Sequence, residues 1–418
     1  MSRHEVQVHL EHIAVKKKAL ENYRPVVGEQ VLAEIRSVAG ELQGLRVLHL
    51  NSTSSGGGVA ELLDSMVPLL CDVGLQAEWR VLCKDPEFFQ VTKQFHNALQ
   101  GGDLILTEAM KERYLERNRQ CSAMLEEAYD VIVVHDPQPA AIRQFHGPAR
   151  ARWIWRCHID TSEPHPEVWA FLQPFVEEYD VAVFTMAQFV PPHLHRPRIV
   201  CIPPAIDPLS SKNRHLPKYL CREVVNEFGV DLTRPLIIQV ARFDPWKDPQ
   251  GVIEAYRLAK RDYPELQLAL IGAMAEDDPE GWEVYKRIRT LGEADPDLYL
   301  FTNLTGVGSH EVNAFQRVAD VVVQKSIREG FGLVVSEALW KETPVVAGKT
   351  GGIPLQMTDG EEGYLVTGVE ECAARIVELL EHPERAAAMG QRGQERVRRH
   401  FLITRLLLDE LKLIRSLV

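Results

Sequence analysis

Along the chain, short apolar runs alternate with longer stretches in which apolar residues recur at helical spacing. The runs lie at 46–50, 76–82, 131–134, 153–157, 181–185 and 199–202, and most are apolar nearly throughout, as in the VIVV of 131–134. Continuous runs of this kind fit strands covered on both faces. Amphipathic stretches such as 59–73 and 163–178 lie between them. The alternation predicts a parallel sheet flanked by helices. Residues 203–217, PPAIDPLSSKNRHLP, then break the rhythm and read as a linker. The alternation restarts with strands at 236–241, 267–271, 298–303, 321–324, 345–346 and 364–366. The helices that go with them are at 249–262, 281–290, 310–318, 332–341, 369–381 and 383–401. Residues 1–45 form a polar leading arm with helical spacing, and 402–418 form a last apolar-periodic helix. The expected class is α/β: two Rossmann-like, doubly wound domains, 1–205 and 215–400, facing a central cleft. The carboxyl ends of the strands are where such sheets bind ligands.

Composition narrows the function. With 418 residues, 45% hydrophobic, the chain has ample material for two cores, which rules out disorder over its whole length. A net charge of -12, from 47 basic and 59 acidic residues, argues against a general nucleic-acid-binding surface. It leaves room for a local cationic pocket. Seven scattered cysteines, an odd number without any CxxC, argue against a disulfide framework or a structural zinc site. They read as small core residues. The opening MSRHEVQVHLEH lacks an apolar leader, and no run reaches the ~18 apolar residues of a membrane span. The expected location is the cytoplasm.

Four constellations sit where strands should end. In LHLNSTSSGGGVAE (48–61), glycines lie between a strand and a helix, and the amides of Gly56, Gly57 and Gly58 can approach an anion closely. The same loop is also read as a plain flexible turn, and it matches neither GxGxxG nor the P-loop. In VARFDPWKD (240–248), Arg242 and Lys247 follow the first strand of the second half, placed either to hold a diphosphate or to rest as solvated charges. In EGFGLVVSE (329–337), Glu329 lies in a loop and Glu337 inside the next helix, among apolar neighbours. The amides of Phe331, Gly332 and Leu333 head that helix, as an anion site requires. Two carboxylates so placed can accept hydrogen bonds from sugar hydroxyls. In WIWRCHID (153–160), His158 and Asp160 emerge from a strand end, where a lone histidine is more often structural. The pairs Asp277-Asp278 and Glu361-Glu362 read as solvated loops, and the arginines 392, 396, 398 and 399 as a solvated helix face.

Glu329-x7-Glu337, with Arg242 and Lys247 before it and PVVAG and Gly351-Gly352 after it, resembles the retaining GT-B glycosyltransferases of family four. LHLNSTSSGGGVAELL, WRCHIDTS, QVARFDPWKDP and QKSIREGFGLVVSEALWK look like the trehalose glycosyltransferring synthase subgroup. The resemblance departs from the wider family at Gln324-Lys325-Ser326 and at Trp340-Lys-Glu-Thr343. It implies the GT-B fold, with the helix 401–418 returning to pack on the first domain. It also implies transfer of glucose from nucleoside-diphosphate glucose to free glucose, giving α,α-trehalose with retention. Glu337 would then hold the nucleotide ribose, Glu329 the transferred glucose, and Arg242 and Lys247 the diphosphate. The amides of Gly57, Gly58 and Phe331 to Leu333 would join them at the diphosphate. The base would lie near Phe243 and the strand 298–304. Asn51, His158 and Asp160 would serve the acceptor side, with His158, Arg242, Lys247 and Glu329 carrying catalysis. No cofactor is implied, although Mg2+ can accompany the nucleotide, and the subgroup favours a homodimer. A trehalose phosphorylase on the same scaffold and an inert sugar-nucleotide-binding module are the alternatives.

Overall fold

The computed structural model describes residues 10–55, 57–82, 85–125, 128–147, 150–274 and 279–418. The chain divides into two compact units. One comprises residues up to Pro204 together with Ile403–Val418, and the other Ala205–Leu402. Residues 205–214, read above as linker, are packed in the second unit, where Asn313 donates to the carbonyls of Ser211 and Arg214.

The first unit carries β1 (Leu10–His12), β2 (Arg46–Asn51), β3 (Gln76–Leu82), β4 (Val131–His135), β5 (Arg152–Arg156), β6 (Val181–Phe184) and β7 (Arg198–Cys201). Their order is β1-β3-β2-β4-β5-β6-β7, parallel except for the antiparallel edge β1. The second unit carries β8 (Leu236–Val240), β9 (Gln267–Gly272), β10 (Leu298–Thr302), β11 (Val321–Gln324), β12 (Val345–Gly348) and β13 (Gly363–Val366). Their order is β10-β9-β8-β11-β12-β13, all parallel. β2, β4, β8, β9, β11 and β12 are buried along essentially their whole length, which is why their sequences are apolar rather than alternating. In each sheet the order reverses beside the first long central strand, between β2 and β4 and between β8 and β11. Such a reversal opens a crevice at the carboxyl ends of the two strands.

The expected strands agree with these to within two residues at either end. Not expected from the sequence were β1, the helices Pro86–Leu99, Glu108–Ser122 and Lys218–Asn226, and the short helices Ile142–His146 and Ile353–Gln356. Two expectations need correction. Glu362 is buried, accepts from the Thr358 amide and lies 3.5 Å from Arg396, so it is not a solvated loop residue. The arginine-rich face is partly turned inward, because Arg396 donates to the Leu355 carbonyl and Arg398 covers the Trp340 ring. Asp277 and Asp278 lie outside the described residues. Of the described cysteines, 121, 157, 221 and 372 are buried, whereas Cys71 and Cys201 are exposed.

Candidate active site

In the second unit the reversal between β8 and β11 gathers most of the residues picked out from sequence. The chain leaves β8 into a 3-10 turn at Pro245–Lys247, whose first amide is capped by Asp244 through a 2.8 Å bond from Trp246. This turn aims Lys247 back over the sheet, where its Nζ lies 2.7 Å from Glu329 Oε1. The other Glu329 oxygen accepts from Ser326 at 3.2 Å. Glu329 is 8% exposed, so its charge is both paired and held in place. Arg242 remains outside this pair. Its side chain is exposed, with a 3.4 Å contact to Asp244.

The loop that carries Glu329 is clamped by glycines from the segment after β12. Gly352 donates to the Gly330 carbonyl at 3.0 Å. A Cβ on Gly351, whose φ is +53°, would sit 1.7 Å from the Glu329 carbonyl oxygen. Gly332, at φ +80°, then turns the chain into the helix Leu333–Trp340. The amides of Gly332 and Leu333 stand at the head of that helix, where no helical carbonyl can accept from them. Phe331 packs its ring against Phe401.

Glu337, five residues into the helix, is 2% exposed. One oxygen faces Lys212 at 3.5 Å, and the other has no hydrogen-bond partner among the described residues. A buried carboxylate oxygen left unpaired costs free energy, so it marks a place where a donor is missing. Beneath it lies Lys341, which donates to Asn213 Oδ1 and to the Glu337 carbonyl. Burial lowers its ammonium pKa to about 7, against the pull of the Glu337 charge. Phe243 is buried edge-on to Tyr285, at the back of the same end of the sheet.

The first unit places its residues at the reversal between β2 and β4. Gly57 and Gly58 open the helix Gly58–Asp72 and are exposed. A Cβ on Gly57 would meet nothing within 4 Å, so packing within the unit does not demand glycine there. Gly56 lies outside the described residues. Asn51 is held in the loop: its amide oxygen accepts from Trp79 at 2.7 Å and its amide nitrogen donates to the Thr53 carbonyl. Asp160 accepts from the amide and hydroxyl of Ser162 through one oxygen. His158 is half-buried, and its backbone amide donates to Asp136 at 2.8 Å. Asp136, at φ +65°, ends β4, and burial raises its carboxyl pKa to about 7 despite that bond. Sequence reasoning missed His135 and Asp136, although HDP at a strand end was available as a signal. It also missed Lys212 and Lys341, which only tertiary contact brings to Glu337. Among the described residues no group of three or more His, Cys, Asp or Glu side chains is arranged to hold a metal ion.

A family model described as trehalose synthase, N-terminal domain, matches residues 49–191, and one described as glycosyl transferases group 1 matches 222–396. A trehalose synthase from Rubrobacter xylanophilus is 51% identical over 414 residues, 98% of this chain and 99% of that protein. This chain belongs to the trehalose synthase family of glycosyltransferases. Another family member, the trehalose synthase of Pyrococcus horikoshii, is 48% identical over 96% of this chain and 97% of its own length. More distantly, a trehalose phosphorylase from Pleurotus sajor-caju is 28% identical over 85% of this chain and 55% of that protein. Among solved structures, an α,α-trehalose-phosphate synthase (UDP-forming) from Burkholderia xenovorans superposes with a TM-score of 0.71. It is 15% identical and covers 89% of this chain and all of that one. With its two parallel-sheet units the molecule has the GT-B fold, and as a family member it is a hexosyltransferase. No helix among the described residues is long and apolar enough to cross a membrane.

Proposed function

We propose that the protein transfers glucose from a nucleoside-diphosphate glucose to the anomeric hydroxyl of glucose, forming α,α-trehalose with retention. The observation that carries this is the unpaired, buried oxygen of Glu337 in the helix that follows the loop of the Lys247–Glu329 pair. One group suits a ribose hydroxyl, and the other a sugar next to a diphosphate. The relatives named trehalose synthase support the product. In this reading Arg242, Lys247 and the amides of Phe331, Gly332 and Leu333 hold the diphosphate and stabilise its departure, with the amides of Gly57 and Gly58 aiding them. Fixed donors at a leaving group supply the largest single share of such a barrier. Glu329 orients both Lys247 and the transferred glucose. Asn51, His158 and Asp160 hold sugar hydroxyls on the acceptor side, which supplies orientation. The acceptor proton goes to a leaving phosphate oxygen while the new bond forms on the same face. Retention then needs no paired carboxylates of the glycosidase kind. Magnesium enters with the nucleotide rather than from a site on the chain. The enzyme works in the cytoplasm as a homodimer.

Product analysis with uridine, adenosine and guanosine diphosphate glucose, each with glucose, tests the proposal. Trehalose and the matching nucleoside diphosphate are expected in equal amounts. Trehalose cleavage that depends on inorganic phosphate, with no turnover of any nucleotide sugar, would replace this reading with a phosphorylase. Repeating the assay with a chelator checks the role given to magnesium, and sedimentation checks the dimer.

A further inference from the structure

Behind His158 the first unit holds a file of buried polar side chains that the proposed reaction does not use. His158 Nε2 lies 2.9 Å from His135 Nδ1, and His135 Nε2 lies 3.1 Å from His49 Nδ1. His49 Nε2 lies 3.2 Å from Glu410 Oε1, on the closing helix Ile403–Arg415, and each of these two buried atoms has no other hydrogen-bond partner among the described residues, so they meet as an ion-pair contact that a small turn of the ring would align. The second oxygen of Glu410 faces Arg156 at 3.5 Å. His49 and His135 are 0% and 1% exposed, in positions where an apolar side chain would avoid the cost of desolvation. His158 Nδ1, at the far end, has no hydrogen-bond partner among the described residues.

We propose that Glu410 is a positioning residue which, through His49 and His135, holds His158 in the tautomer with Nε2–H directed inward and Nδ1 left as an acceptor for a sugar hydroxyl. The chemistry follows from counting protons. Each nitrogen–nitrogen contact carries one proton, and a neutral imidazole has one to give. Burial keeps His135 and His158 neutral, the other charges of the file acting in the same direction. The Glu410 carboxyl is held below its usual range although burial opposes this, because His49 and Arg156 both favour its charged form. A carboxylate only accepts, so a neutral His49 must turn its Nε2–H toward it, whereas a His49 cation would donate through both nitrogens and run the file the other way, the Nδ1–H outcome that the test below distinguishes. His49 Nδ1 then accepts from His135, and His135 Nδ1 accepts from His158. Nothing else along the file sets a direction. The second oxygen of Glu410, tied to Arg156, keeps the carboxylate in place.

The inference rests on the proposed transfer for its purpose, but its test does not. The full-length enzyme is labelled with 15N in its histidine rings, and long-range proton–nitrogen correlation is recorded without substrates. The His158 signals are assigned by their loss in His158→Asn. The wild type is expected to show His158 as the Nε2–H tautomer. In Glu410→Gln, Arg156 draws the amide oxygen to itself and leaves the NH2 facing His49, so the whole file reverses and His158 appears as Nδ1–H. Turnover should then fall about tenfold, the worth of one hydrogen bond to the reacting sugar, with the Michaelis constant for the nucleotide sugar changed less than about twofold. Nδ1–H in the wild type, or an unchanged tautomer in a folded Glu410→Gln, overturns the inference. If the wild type makes no trehalose but the tautomers behave as stated, the proposed function fails and the positioning role stands.

Discussion

Lys247 and Glu329 each hold the other in place. Lys247→Ala and Arg242→Ala should each lower turnover by about 10²–10³-fold, the usual cost of removing one donor at a developing charge. Steady-state kinetics of the two variants decide this, and turnover like wild type in both would remove the diphosphate assignment. The two carboxylates should separate by titration calorimetry with nucleoside diphosphate alone. Glu337→Gln weakens binding, because its open oxygen then faces the ribose with less charge, whereas Glu329→Gln leaves binding within about twofold and harms transfer. Lys341 gives a pH signature. Its folded pKa of about 7 lies below the unfolded value near 10.4, so between them the unfolded chain holds a proton that the folded one lacks. Stability from this group is present above the unfolded pKa and is lost as pH falls toward 7. Urea midpoints should therefore rise between pH 7 and 9 more in the wild type than in Lys341→Met. At this scale the sequence displayed the charges that follow strand ends, but not those delivered from elsewhere. Lys212, Lys341 and Glu410 sit in unremarkable contexts, and only folding gives them partners.

The strands were legible because burial on both faces leaves apolar runs that are short and rich in β-branched residues, which sets them apart from buried helix segments even though their spacing alone does not. β1 was not, since three residues of a polar arm owe their extended form to the register with Leu82, Val81 and Arg80. Glu108–Ser122 reads EAMKERYLERNRQCS, too polar to show a face, although Thr107 caps it by accepting from Met110. The glycines after β12 show the same limit. Gly351-Gly352 carried part of the family resemblance, but their duty, to let the Glu329 loop lie against them, appears only in space. Gly351→Ala meets both a positive φ and a carbonyl at 1.7 Å, and strain and overpacking of this kind cost about 1–3 kcal/mol each. We expect loss of transferase activity together with a lowered denaturation midpoint. Unchanged activity would show that the loop can move aside without displacing Glu329.

The chain passes between the two units twice, after Pro204 and after Leu402. The returning strand of chain is fastened where Ile206 pairs with Leu402 and Arg405 donates to the carbonyls of Pro203 and Pro204. The closing helix then buries Leu406, Leu407, Leu411 and Ile414 completely in the first unit. At about 1.5–3 kcal/mol for each side chain, their burial is comparable with the 5–15 kcal/mol stability of a typical domain. A chain ending at Leu402 should therefore lose the first unit to limited proteolysis while residues 205–402 resist. Survival of both units would mean that the helix is dispensable. There is also a consequence for synthesis. The first unit begins to emerge from the ribosome first, yet it stays open until the whole second unit and then Glu410 have been translated, whereas the second unit is one uninterrupted segment. A ribosome that stalls late thus carries a finished second unit and an unclosed first one, and the histidine file is assembled only after Glu410 has been made.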